Sequence, residues 1–376
     1  MERWQTKRIQ QDLKSKMVIL SGPRQVGKTW LARHLMDETP HSLYLNWDNP
    51  EHRKVISDRG WLPMTSLVVL DEVHKMPDWK NHLKGIWDTK TAGLEILVTG
   101  SARLETFRQA GDSLAGRFLR HRLLPICPFE AARSGDFGLE RLIERGGFPE
   151  PYLAKNPIEA NRWRRQYVDG LLREDLFALE RIHELGKMQM LVELLRSRVG
   201  SLLSWSSLAE DLRLSPTTVE HYVQILEALY IVFRVMPWAR DIARSVSLKP
   251  KVYFFDSGLV RGDAGAVLEN LAAVSLQKLV WAREDILGQE TSLHFLRTRD
   301  GREVDFCLVE DGHPVRSLEI KTTFHQISSG QRWFAAQGIP GTVLCGTPTF
   351  ERVVDSLEVR ELGNWIRESW ETVDAD

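Results

Sequence analysis

The chain has 376 residues, 43% hydrophobic and 27% charged, the balance of an ordinary globular protein of two or three domains. Its formal net charge of −1 gives no bulk electrostatic case for a nucleic-acid partner, so any basic surface has to be local. Three scattered cysteines, Cys127, Cys307 and Cys345, exclude a disulfide framework or cysteine zinc site; with no signal-peptide core and no apolar run near the roughly 18 residues of a membrane span, they point to a cytoplasmic protein without membrane contact.

Residues 17–20 (MVIL) read as a buried strand. Gly22, Pro23, Arg24, Gln25, Val26, Gly27, Lys28 and Thr29 follow, with the Walker A spacing, and Trp30 continues into a segment with Leu31 and Leu35 on one helical face. A phosphate chain lying against backbone N–H groups needs glycines there, and the helix N-terminus behind the loop favours the anion. The cofactors expected are ATP and Mg²⁺, with Lys28 on the β and γ phosphates and the Thr29 hydroxyl on the metal.

Residues 43–48 (LYLNWD) read as a second strand, whose terminal Asp48 either lines the nucleotide crevice or caps a loop. Residues 67–72 (LVVLDE) are an apolar strand ending in two carboxylates. Asp71 has the place of a Walker B aspartate holding Mg²⁺, and Glu72 that of the group polarising the attacking water. Residues 94–101 (LEILVTGS) form the next strand, ending where Ser101 or Thr99 would sense the γ phosphate, or where the chain turns.

These stretches, with Leu114-Ala115-Gly116-Arg117, resemble one prokaryotic AAA-type ATPase family that carries a C-terminal domain of uncharacterised function with a restriction-endonuclease-like core. The segment 124–130 (LPICPFE) is an altered form of that family's Leu-Pro-Leu-Ser-Phe-Glu-Glu, and 146–150 (GGFPE) matches its Gly-Gly-aromatic-Pro-Glu. The resemblance spans nearly the whole chain and implies an αβα ATPase core acting as a ring, with a hexamer expected. It also raises Arg117 as a guanidinium reaching a neighbour's γ phosphate, in competition with Arg103 and Arg120.

From 157 to 182 the pattern is helical, with Ile158, Trp163, Tyr167, Leu171 and Leu179 near one face. Arg162, Arg164, Arg165 and Arg173 are offset by Glu159, Glu174, Asp175 and Glu180, the composition of a salt-bridged solvated helix. Residues 206–227 give two short helices around the Ser215-Pro216 start signal, a helix-turn-helix. Strands at 231–236 and 251–255 would supply a wing carrying Arg240, Arg244, Lys249 and Lys251. Thr217, Thr218 and His221 would then face a DNA groove, although Glu220 opposes phosphate and winged helices also pack on proteins.

Residues 303–309 alternate as a strand, Asp311-Gly312 signals a hairpin, and residues 315–321 return. Alternation places Asp305, Glu319 and Lys321 on converging faces, the Asp…Glu-x-Lys arrangement of restriction-endonuclease-like nucleases. Glu269, Asp305 and Glu319 are the expected metal ligands and Lys321 the charge stabiliser, with Gln331 a weaker participant. Residues 362–370 look like a peripheral helix.

The expected fold is α/β: an AAA-type αβα P-loop ATPase domain over 1–152, a helical linker and winged helix-turn-helix over 153–262, and a restriction-endonuclease-like domain over 263–376. The expected activity is Mg-dependent ATP hydrolysis coupled to DNA binding or remodelling, with metal-dependent cleavage as an extension. The alternatives are an ATP-switched DNA-binding scaffold without nuclease activity and a remodeller of protein partners.

Overall fold

A computed structural model describes residues 3–100, 114–133, 138–179, 184–239, 249–347 and 350–374. Ser101, Arg103, Arg240, Arg244 and Glu180, named above, lie outside the described residues, as do the side chains of Glu174, Asp175 and Leu179. The chain divides into two compact units, Met1–Leu124 and Pro125–Asp376.

The first unit opens with α1 (Thr6–Leu13) and β1 (Met17–Ser21), then α2 (Lys28–Asp37), β2 (Ser42–Asn46), α3 (Pro50–Asp58), β3 (Leu67–Asp71), α4 (Trp79–Thr89), β4 (Glu95–Thr99) and β5 (Phe118–Arg122). All five strands pair in parallel in the order β2-β3-β4-β1-β5. A parallel sheet has helices on its faces, so β1 and β3 are apolar up to their last residues, Ser21 and Asp71, and buried at every position. Ile19, Val68, Leu70, Ile96 and Val98 pack one face against Leu83 and Ile86 of α4. The order has a chemical consequence: β4 lies between β1 and β3, so the end of β4 stands beside Asp71, paired in register with Thr99.

The second unit begins with helices α5 (Pro128–Arg133), α6 (Leu139–Arg145), α7 (Pro149–Leu153), α8 (Pro157–Leu179) and α9 (Leu185–Arg196). The two short helices expected around Ser215-Pro216 follow as α10 (Trp205–Leu212) and α11 (Pro216–Ala228). Ser204 and Ser215 cap these two helices, accepting from the backbone N–H of Ser207 and Thr218, and Pro216 fills the first turn of α11. Then come β6 (Val232–Pro237), β7 (Lys251–Phe254), α12 (Ala264–Ala282), β8 (Thr291–Arg297), β9 (Glu303–Glu310), β10 (His313–Lys321), α13 (Ser329–Ala336), β11 (Gly341–Cys345), β12 (Arg352–Val354), β13 (Leu357–Glu361) and α14 (Leu362–Asp374).

One eight-stranded sheet, in the order β12-β13-β11-β10-β9-β8-β6-β7, runs through this unit. β9 runs antiparallel to both β8 and β10, and β11 joins β10 in parallel after α13. The hairpin is as expected: Asp311 and Gly312 both have positive φ, 48° and 78°, between β9 and β10. The two wing strands do pair antiparallel, but β6 also pairs with β8, through Met236 and His294. They are therefore the edge of the same sheet that carries the C-terminal carboxylates, and the sheet runs across the 262/263 boundary. Residues 125–152, expected with the ATPase, belong to this second unit; Ile126 N–H donates to Gly147 O at 2.6 Å, joining the two family-like segments within it.

Two helices differ from their sequence reading. On α8, Trp163, Tyr167 and Leu171 are buried as expected, but Ile158 is 71% exposed. At the C-terminus, α14 is not peripheral: Leu362, Ile366 and Trp370 are fully buried, and the Trp370 indole stacks on Phe129 with centroids 5.4 Å apart. A tryptophan near the chain end buries as much apolar surface as one in mid-chain, and terminal position is no guide to that.

Candidate functional site

The glycines of the loop are required by geometry. Gly22 has φ +142°, and a Cβ there would collide with the Leu123 carbonyl. Gly27 has φ +102° and caps α2. Gln25 also lies at positive φ, 59°, so the loop reverses within a few residues. Its outer side is tied down by Arg3, a buried arginine that donates to Val26 O at 2.8 Å and to Leu124 O. Val26 is buried, Arg24 and Thr29 are half-buried, and Pro23 is buried, while the Trp30 indole is 46% exposed and stacks on His34.

Lys28 is 8% exposed, and its ammonium donates to the carbonyls of Gly22 (3.0 Å) and Pro23 (2.6 Å). Burial brings its pKa down to about 8, against the pull of Glu72 and Asp71. The ammonium is thus stored against the loop's own oxygens, in the place where an incoming phosphate would supply better ones.

Asp71 is the centre of a hydrogen-bond set. Thr99 donates to its Oδ1 at 2.6 Å; Thr29 (3.4 Å), Asn46 Nδ2 (3.5 Å) and the Tyr44 hydroxyl reach its Oδ2. Burial and the carboxylate push the Tyr44 phenol up to about 12, so it stays a donor. Thr99 is fully buried, with its hydroxyl engaged on Asp71. Tyr44 and Asn46 were not among the sequence candidates; their alternation along β2, two residues apart on one face, is the signal that could have found them.

Glu72 begins the turn after β3 at φ 57°, with its N–H on Thr99 O at 2.9 Å. Its carboxylate lies 3.1 Å from Lys75 and 3.6 Å from His74. Asp48 pairs with Lys75 at 2.6 Å, which accounts for that side chain as a partner of the turn. Arg117 precedes β5 and accepts on its carbonyl from Met17 N–H, at the start of β1. That is the opposite end of the sheet from the loop, about 15 Å along a five-residue strand. Its guanidinium holds Asp88 of α4 at 2.8 and 3.1 Å. Arg117 therefore does not serve its own chain's loop.

The donor set fits a hard cation. A carboxylate and a hydroxyl stand 3.4 Å apart at the strand end, beside a lysine and a helix N-terminus.

In the second unit the hairpin brings Asp305 and β10 together: Asp305 Oδ2 accepts from Ile320 N–H at 2.8 Å. Glu319 Oε1 lies 3.4 Å from Lys321, whose ammonium also donates to Gln326 O at 3.0 Å, and Glu319 Oε2 is buried without a hydrogen bond. Gln331 is fully buried and donates to Ser317 O, a sheet-bracing role.

The residue that organises this site is Lys251, which the sequence reading placed on a wing facing phosphates. It is 2% exposed and points inward, 2.7 Å from Glu303, 3.7 Å from Glu269 and 3.8 Å from Asp305. Burial works against its charge, but the three carboxylates outweigh it and hold the pKa above that of an ordinary lysine. Tyr253 on the same strand donates to Glu269 at 2.7 Å. Burial, then Glu269, lifts Asp305 to about 7 in spite of Lys251. Lys251 thus stands against two of the three expected metal ligands, Glu269 and Asp305, and not against Glu319. Among the described residues, no group of three or more His, Cys, Asp or Glu is arranged to hold a metal ion.

A family model described as an AAA domain matches residues 14–131, and one described as a domain of unknown function (DUF8612) matches residues 136–267. An uncharacterised protein of Mycobacterium tuberculosis is 28% identical over 82% of this chain and 70% of its own. An uncharacterised protein of Methanocaldococcus jannaschii is 21% identical over 78% and 72%. Among solved structures, a Walker-type ATPase of Pyrococcus abyssi is similar over 70% of this chain and 94% of its own, at 14% identity and TM-score 0.43. RuvB of Thermotoga maritima is similar over 61% and 88%, at 16% identity and TM-score 0.32. Among the described residues no helix is long and apolar enough to cross a membrane. With its parallel sheet and its glycine loop opening α2, the N-terminal region is P-loop ATPase-like, and residues 14–131 match the AAA domain model.

Proposed function

We propose that the protein hydrolyses ATP with Mg²⁺ in its first unit and uses the cycle to drive a DNA-directed second unit, working as a ring. The observation that carries the reading is the convergence of Lys28, Thr29, Thr99 and Tyr44 on the loop and Asp71, at the carboxyl ends of adjacent strands, where open α/β sheets bind ligands.

Bound Mg²⁺ would supply charge neutralisation of the β and γ oxygens, with Thr29 and Asp71 holding it. The chain's own residues do the rest. Lys28 exchanges the Gly22 and Pro23 carbonyls for phosphate oxygens. The N–H groups at the start of α2 face the anion. Thr99 fixes one oxygen of Asp71 so that the other is presented to the crevice. Glu72, held by its backbone on β4, orients and deprotonates the attacking water. Arg117, remote from its own loop, would leave Asp88 to reach a neighbour's nucleotide, which ties turnover to assembly.

On the DNA side, Thr217 is exposed at the start of α11, and Glu220 lies 3.8 Å from Arg234, which offsets its repulsion of phosphate. The C-terminal αβββαβ order and the Asp305, Glu319 and Lys321 grouping support a nuclease-like module with metal-dependent cleavage. A second reading, a scaffold that does not cut, is favoured by Lys251 filling the carboxylate cluster.

The test is ATP turnover by the full-length protein with single-stranded, duplex and branched DNA, in Mg²⁺ and Mn²⁺. Stimulated turnover with cuts that disappear in Asp305→Ala supports the motor-nuclease. Stimulation without cuts supports the scaffold. Turnover indifferent to every DNA would overturn the DNA coupling and leave the protein-partner alternative.

A further inference from the structure

A cleft of about 710 Å³ lies in the second unit, walled by α8, α9 and the 3-10 turn Ser257–Leu259, within the size range of ligand pockets. Its chemistry is dominated by arginine: Arg162, Arg164, Arg165, Arg196 and Arg261 line it, against the carboxylates of Asp169 and Glu193. The sequence suggested a helix whose charges cancel on its surface. Among the described residues the acid nearest in sequence, Glu159, accepts from Lys155 N–H at 3.1 Å at the start of α8 and pairs with no arginine.

The five guanidinium groups have two different roles. Arg164 is a buried wall element: it holds Asp256 at 2.9 Å and also donates to Asn161 at 2.9 Å. Arg196 is fixed by Leu259 O at 2.6 Å and Glu193 at 2.8 Å, and Arg261 shares that same Glu193. One carboxylate thus serves two arginines. Arg162 and Arg165 are exposed and pair with no acid among the described residues. They stand three residues apart, hence on one face of α8, and both line the cleft. Counting Asp256 with Arg164, the cleft carries two positive charges more than negative ones.

We infer that this cleft binds phosphate groups of a polyanion, with Arg162 and Arg165 as the contacts and Arg164 and Arg196 as pre-oriented walls. Guanidinium forks match phosphate oxygens two at a time, and the fixed arginines cost no ordering on binding. Among the described residues the walls contain no aromatic side chain. The site therefore reads charge and not bases, and it is separate from the helix-turn-helix and from the carboxylate cluster. The phosphates come either from a nucleic-acid backbone, which rests on the DNA reading above, or from a free oligophosphate, which does not.

The test uses full-length protein carrying Lys28→Ala, so that the ATP loop does not contribute. Labelled single-stranded DNA is titrated by fluorescence anisotropy between about 50 and about 200 mM salt, and inorganic tripolyphosphate and polyglutamate are titrated in parallel. Arg162→Glu with Arg165→Glu is expected to weaken DNA binding at least about tenfold and lower the slope of log affinity against log salt by about 1.4, two contacts' worth for a single strand. Lys7→Glu with Lys54→Glu, an equal charge change on exposed residues of the first unit, is expected to leave that slope intact. Binding of tripolyphosphate but not DNA, lost in the arginine pair, keeps the cleft and assigns it to a free phosphate compound even if the DNA reading fails. Polyglutamate bound as tightly as either phosphate ligand would overturn the phosphate assignment. So would unchanged DNA affinity in the arginine pair when Thr217→Glu with His221→Glu abolishes it, or no binding of either phosphate ligand.

Discussion

Lys28 titrates within reach of ordinary buffers because burial lowers its pKa to about 8. The sign follows from linkage. Below that pH the ammonium is already charged and nucleotide affinity is independent of it. Above it, binding phosphate must take up a proton, so affinity falls by about tenfold per pH unit. Calorimetric titration with ADP at pH about 7 and about 9.5 measures this, and Lys28→Arg, charged throughout, is expected to flatten the dependence. An equal fall in Lys28→Arg would assign the effect to another group. Lys251 makes a different prediction. Lys251→Met leaves Glu269 and Asp305 without their lysine and Glu303 with Arg297 alone, a loss of about 3–5 kcal/mol for a broken buried ion pair. Adding Glu303→Gln is expected to recover part of it in denaturant unfolding; no loss in the single variant would show that the lysine is not the neutralising charge. Lys28, Thr29, Asp71 and Glu72 were legible because phosphate chemistry dictates residue types at fixed spacing. Lys251 was not: alternation says which face a side chain takes, but not that a hairpin will be buried at the edge of another sheet.

At the scale of elements, strands and caps were the most legible parts. β1 and β3 each begin with four apolar residues in a row, Ser215-Pro216 marks the start of α11, and Asp311-Gly312 marks the hairpin, each by a local rule. The destination of an element was less so. β6 and β7 have the look of a wing, and pairing between β6 and β8 makes them sheet edge. Asn270 of α12 seals that edge, accepting from Phe254 N–H at 2.8 Å and donating to Phe254 O at 2.9 Å. α14 illustrates the same gap, since its amphipathic pattern gave no hint of Phe129 beneath Trp370. Trp370→Ala is expected to cost about 3–5 kcal/mol, the range for emptying a large buried aromatic site. Chemical denaturation followed by far-ultraviolet circular dichroism checks it. A cost below about 1 kcal/mol would return α14 to a peripheral role.

For the whole molecule, the ring reading turns on Arg117, which lies away from its own loop and is held by Asp88. If it acts across a subunit boundary, specific ATPase activity rises with protein concentration as protomers assemble. Arg117→Ala is then expected to lose this rise, with kcat reduced by about 10³-fold or more, as for other arginine fingers. Activity per protomer that is flat over the same dilution series would make the protein a self-sufficient ATPase. The segment 125–152 carries motifs that resemble the ATPase family and groups with the second compact unit. Above all scales stands the claim that a triphosphate is bound and cleaved at the turn between β1 and α2. Steady-state phosphate release by purified wild type, Lys28→Ala and Glu72→Gln, each with nucleotide binding measured alongside, tests it most directly. The expected result is turnover and binding in wild type, neither in Lys28→Ala, and binding with turnover down about 10²- to 10⁴-fold in Glu72→Gln; equal release by wild type and Lys28→Ala would contradict it.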